Sequence, residues 1–190
     1  MRYFILLLFV CMIWASCGSP IGIPPALYPN VVDTVSLWAL SGTPIAKPSG
    51  YVLSEHQAVR TDVYPLFDFV FDIDSAGRAL LLPTGAVKLG RNSGLQVVTQ
   101  KFDSIHTAAL TNYNRDSATV VAADDVVLAH SIPLPTGCSF GALPGVAYYA
   151  KLQILTIDTT SGGDGRRIDF LILVDANCGY RGLDTGLPRN

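Results

Sequence analysis

An all-β fold, an antiparallel β-sandwich of immunoglobulin-like or jelly-roll-like kind with at most one short helix, is what this sequence predicts, and three observations carry it. Short runs rich in Val, Ile, Phe and Tyr are separated by turn residues along the chain from residue 31 onward. Two of the longest, residues 146–154 and 168–174, alternate apolar and polar side chains on either side of Ser161-Gly162-Gly163-Asp164-Gly165. Only residues 102–110 show apolar spacing that fits a helix, with Phe102, Ile105, Ala109 and Leu110 on one side.

Residues 31–40 read as the first strand, with Val31, Val35 and Leu37 on one face and Thr34, Ser36 and Trp38 on the other. Residues 64–73 are aromatic-rich. They lead through the turn Asp74-Ser75-Ala76-Gly77 into residues 79–82, which makes a hairpin. Further strands are expected at residues 86–89, 95–101, 118–122 and 126–132. The alternation Val146, Tyr148, Ala150, Leu152, Ile154 and its return Ile168, Phe170, Ile172, Val174 predict a long hairpin with one face in the core. No repeat, heptad or composition break divides the chain, so residues 31–190 are expected to form one domain.

The chain has 190 residues, 13 Lys+Arg against 15 Asp+Glu, and a net charge of −2. Its mean hydropathy of +0.37 is inflated by the apolar first sixteen residues. Only Arg166 and Arg167 form a basic pair, so the electrostatic footprint of a nucleic-acid binder is missing and nucleic acid is not expected as a partner.

Residues 3–15 carry no charge and follow Arg2, the layout of a secretory leader. A membrane-spanning helix needs about 20 apolar residues, so residues 1–16 read as a removable signal peptide rather than a span. Trp14-Ala15-Ser16-Cys17 resembles the lipobox of bacterial lipoproteins, with Trp14 where that family usually carries an aliphatic residue. The resemblance implies a lipid such as palmitate on Cys17, the first residue of the mature chain, and hence a membrane partner reached through that lipid. It also implies export to the cell envelope, with the outer membrane favoured by Gly18 if the host has one. Ordinary cleavage, for example after Gly18, is the other reading and would give a soluble secreted protein. Residues 17–30 hold Pro20, Pro24, Pro25 and Pro29 and no charge. They are expected to be an extended tether, or alternatively an irregular strand lying on the domain.

With Cys11 lost in the leader and Cys17 lipidated, Cys138 and Cys178 are left as an even pair in an oxidising compartment. A disulfide between them would close about 40 residues and stabilise by about 4 kcal/mol in the chain-entropy model. Two separate buried thiols are the alternative.

Candidates for chemistry are sparse. Asp72-Ile73-Asp74-Ser75-Ala76-Gly77 begins like a calcium loop but has Pro83 at the twelfth position; an Asp/Gly turn is expected, with Asp72 and Asp74 the calcium candidates. His56, His106 and His130 are the only histidines, and Ser54-Glu55-His56 and His130-Ser131 supply residue types for a hydrolase without a nucleophile elbow; Gly90-Arg91-Asn92-Ser93-Gly94 has the wrong spacing. No zinc spacing is present. Asp124, Asp125, Asp158, Asp164, Asp169 and Asp175 with Arg166 and Arg167 are expected to form ion pairs on a solvated sheet face. Trp38, Tyr51, Tyr64, Tyr113, Tyr148, Tyr149 and Tyr180 are expected mainly in the core and at its rim, or as a sugar-stacking platform. The expected function is that of a non-catalytic binding or structural module of the envelope, without cofactor, with an envelope protein or polysaccharide as partner. A carbohydrate-binding or adhesive module and a small secreted hydrolase are the alternatives.

Overall fold

The computed structural model describes residues 25–90, 92–134 and 145–188. Among these, ten strands build two antiparallel five-stranded sheets. The first sheet runs β1 (Val32–Trp38), β10 (Arg167–Val174), β9 (Tyr149–Asp158), β8 (Val126–His130), β6 (Gly94–Val98). The second runs β3 (Gln57–Val59), β2 (Gly50–Val52), β4 (Phe69–Ile73), β5 (Ala79–Pro83), β7 (Thr119–Val121). Strand β1 lies against β3 and β4, and β6 against β5 and β7, so the sheets stack face to face as a sandwich.

The period-two pattern of the sequence sets this packing. Ala150, Leu152 and Ile154 of β9 and Ile168, Phe170, Ile172 and Val174 of β10 point into one core, where they meet Tyr51, Phe69, Phe71 and Leu81 of the second sheet. Each such side chain, removed from water, contributes roughly 1.5–3 kcal/mol. A bulge between Asp169 and Phe170 shifts the register of the β9–β10 hairpin and leaves Leu155 at the surface. The β4–β5 hairpin forms as the aromatic run and its Asp/Gly turn imply.

Three expectations need correction. Residues 102–110 hold only the 3-10 turn Phe102–Ser104. Beyond it the chain is extended, with Thr107 bridged to Gly182 and the Ala108 N–H donating to Arg181 O. The spacing of Phe102, Ile105 and Ala108 marks a patch pressed onto the outer face of the first sheet, against Val126, Leu128 and Leu173. The β9–β10 hairpin is therefore covered on both faces over that stretch, not on one. Residues 86–89 form turns instead of a strand, closed by Ala86 N–H to Pro83 O and Leu89 N–H to Thr84 O. Strands β2 and β3, of three residues each, are too short to show a period and escaped the sequence reading.

The end of the expected tether lies on the domain. The Leu27 and Tyr28 N–H groups donate to Asn177 Oδ1 at 2.8 and 3.0 Å, and Asn30 exchanges backbone hydrogen bonds with Gly186. Among the described residues, no helix is long and apolar enough to cross a membrane. The expected leader, residues 1–16, and Cys17 lie outside the described residues, as does the expected tether up to residue 24.

Candidate functional site

The sandwich opens between its sheets where β1 begins and β10 ends. Pro29, Val31, Val32 and Asp33 from the entering chain, Ile172, Val174 and Ala176 from the exit of β10, Tyr51 of β2 and His56 of the following turn line a cleft of about 230 Å³. The β-strand period puts Ile172 and Val174 on the same face, so the core itself forms the apolar wall. Tyr51 is fixed from within. Its ring stacks on Phe69 at 5.6 Å and meets Phe170 edge-on at 6.3 Å, which leaves the hydroxyl as the end that reaches the cleft.

Tyr51 is 1% exposed, yet its hydroxyl makes no hydrogen bond among the described residues. The hydroxyl is not one of the buried, unpartnered polar atoms; it meets solvent where Tyr51 lines the cleft. Burial, and next the carboxylate of Asp33, push the Tyr51 phenol above its ordinary pKa, so it stays a neutral donor and acceptor. Asp33 accepts from the Thr34 N–H at 2.7 Å and forms no ion pair with a described Lys or Arg. His56 stands at the rim in a left-handed conformation, φ 54°, and burial lowers its pKa.

No protein-family model and no curated protein matches the chain.

A larger groove of about 600 Å³ runs past Val97, Lys101, Phe102, Asp103, Asp124 and Gln153. It carries both signs of charge, and the one aromatic ring in it is already covered by the Lys151 ammonium, 4.5 Å from the Phe102 centroid. Among the described residues that line it none carries a buried, unpartnered polar atom, and its mixed charge reads as solvated surface.

The buried ionisable groups elsewhere are engaged in holding the fold. Asp68, 3% exposed, accepts the Leu53 N–H at 2.7 Å and the Ile132 N–H at 2.6 Å. Leu53 follows β2 and Ile132 follows β8, so this carboxyl clasps one sheet to the other. Burial outweighs these hydrogen bonds and raises its pKa to about 6. Asp175, expected on a solvated face, is instead fully buried. Its Oδ1 accepts the Asn177 N–H at 2.9 Å, Oδ2 lacks a well-formed partner, and burial raises its pKa to about 6. Lys151, 4% exposed, donates to Phe102 O and Ile105 O at 2.9 and 3.0 Å.

His130 donates from Nδ1 to Ser131 O at 2.9 Å, which makes Nε2 the acceptor nitrogen. That atom is buried against Gly94, where a Cβ would come within 2.7 Å of it, so it faces backbone and not a cavity. Ser131 Oγ accepts the Tyr148 N–H and donates to Ile132 O. His130 and Ser131 thus do not form a nucleophile and base. His106 meets Asp184 at 2.6 Å on the exposed surface.

Asp72 accepts from the Ser41 N–H and hydroxyl, and Asp74 accepts from Arg78 and the Ala76 N–H. Each carboxylate is engaged with separate partners, and no group of three metal-ligating acids, histidines or cysteines occurs among the described residues. Lys47 pairs with Asp164 and Arg167 with Asp169, while Arg166 donates to Ser41 O and Ile73 O. Of the seven aromatics considered for sugar stacking, none is exposed; all are buried or half-buried. Cys178 follows β10, Cys138 lies outside the described residues, and so does Arg91 of the 90–94 turn.

Proposed function

We propose that the chain is an exported lipoprotein: residues 1–16 are removed, Cys17 carries the lipid, and the β-sandwich is a non-catalytic binding module held at the envelope membrane. Cys138 pairs with Cys178 in this reading, tying the approach to β9 to the exit of β10. The observation that carries the binding role is the cleft between the sheets, where the Tyr51 hydroxyl has no protein partner and lies with Asp33 and His56 among apolar walls. The chemistry at that cleft is recognition. It offers a neutral phenol, a carboxylate and a rim imidazole, with apolar walls to bury a ligand's body.

Metabolic labelling with a fatty-acid probe tests the anchor. Wild-type protein is expected to label and to sediment with membranes; Cys17→Ala is expected to lose the label entirely. Labelling that persists in the variant contradicts the anchor.

A further inference from the structure

We infer that the cleft between β1, β10 and β2 is a binding site for a small organic cation, an ammonium group carried on a compact apolar body. This rests on reading the cleft as the ligand site, and it adds the charge and size of what enters.

Size comes from the volume. An engineered apolar cavity of about 150 Å³ accepts benzene, and this cleft of about 230 Å³ has room for one ring or a short branched chain together with a polar head. Its walls are Pro29, Val31, Val32, Ile172, Val174 and Ala176, all without a hydrogen-bonding side chain.

Sign comes from the polar atoms. Asp33 supplies a carboxylate at the mouth, and no described Lys or Arg neutralises it. Tyr51 supplies a hydroxyl with free lone pairs at the floor. Burial disfavours the protonated form of His56, so the rim adds no fixed positive charge. An ammonium finds an opposite charge and an acceptor here, whereas a carboxylate or phosphate meets like charge and is disfavoured.

Three probes of one shape separate the contributions: benzylamine as cation, benzyl alcohol as neutral analogue and benzoate as anion. Each is titrated into the full chain while the methyl resonances of Val32, Ile172 and Val174 are followed by NMR. Benzylamine is expected to shift these methyls saturably and to bind about tenfold more tightly than benzyl alcohol, with benzoate weaker still. Asp33→Asn, an exposed substitution, is expected to remove the preference for the amine and leave alcohol binding unchanged. Tyr51→Phe is expected to weaken amine and alcohol alike. If none of the probes shifts the methyls, the cleft is not a ligand site. If the alcohol or benzoate binds as tightly as the amine, or Asp33→Asn keeps the preference, the cleft binds ligands but the cation assignment is overturned. Loss of lipid labelling has no bearing on either outcome.

Discussion

Asp68→Ala is expected to lower the unfolding free energy by about 2 kcal/mol at pH 8 and by about 4 kcal/mol at pH 4. The substitution leaves the Leu53 and Ile132 N–H groups without acceptors at the junction between sheets, and each orphaned buried donor costs roughly 1–3 kcal/mol. The pH dependence follows from the raised pKa, about 6 in the fold against an ordinary 3.8. A carboxyl whose folded pKa is raised binds its proton more tightly in the folded state. Its stabilising contribution is therefore complete below the unfolded value and fades as pH rises through about 6. Wild type loses that contribution between pH 4 and pH 8, worth about 2 kcal/mol, whereas the alanine variant has none to lose. The difference between the two isolates Asp68 from Asp175, which shares the sign, and from His56 and His130, whose lowered pKa values act oppositely. Urea unfolding of both proteins at the two pH values measures it; a gap that widens toward high pH contradicts the assignment.

Lys151→Ala is expected to cost about 3 kcal/mol, with the damage focused on the segment after β6. The ammonium is desolvated, which lowers its pKa, while the carboxylates of Asp184 and Asp103 pull the other way. In return it satisfies two carbonyls of the 3-10 turn, Phe102 O and Ile105 O, and lies over the Phe102 ring. Hydrogen bonds from a charged donor contribute roughly 1.5–3 kcal/mol each. Without them Phe102, Ile105 and Ala108 lose the clip that presses them onto Leu128 and Leu173. Amide exchange at Ser104 and Ile105 should quicken by about a hundredfold. Lys151→Met, which keeps the apolar stem, should recover about 1 kcal/mol. Unchanged exchange at these two amides would show that the turn holds without the lysine.

What could be read in advance follows from where the period of the sequence is unbroken. The β9–β10 hairpin was legible because Ala150 to Ile154 and Ile168 to Val174 alternate over more residues than chance provides, and both runs pack inward as read. Residues 102–110 misled because apolar spacing records which side chains are covered, not which backbone presents them. There Lys151 and Arg181 backbone and side-chain partners hold an extended chain. Asp175 looks like a surface acid in the sequence and is buried; Asp68 draws no notice there, since one of its donors, the Ile132 N–H, lies 64 residues away.

The cleft was not legible for the same reason. Asp33, Tyr51, His56, Ile172 and Val174 come from both sheets and from opposite ends of the chain. In the sequence His56 and Tyr51 are residue types without a setting. Tyr51 on a three-residue strand carries no pattern that would mark it as a cleft floor. Asp33 lies in the first strand with no pattern that singles it out.

The tether and the site also come together. Pro29 and Val31, at the end of the proline-rich stretch, wall the cleft, while Leu27 and Tyr28 are fastened to Asn177. In the proposed arrangement the binding site thus sits where the chain arrives from the membrane, and anchoring sets which way it faces.

The most direct test of that arrangement is the intact mass of the protein extracted with detergent from the membranes of its producing cell. The account predicts a chain that begins at Cys17 and carries the mass of attached acyl chains. A lipid-free chain beginning at Ser19, or one that retains Met1, would contradict it.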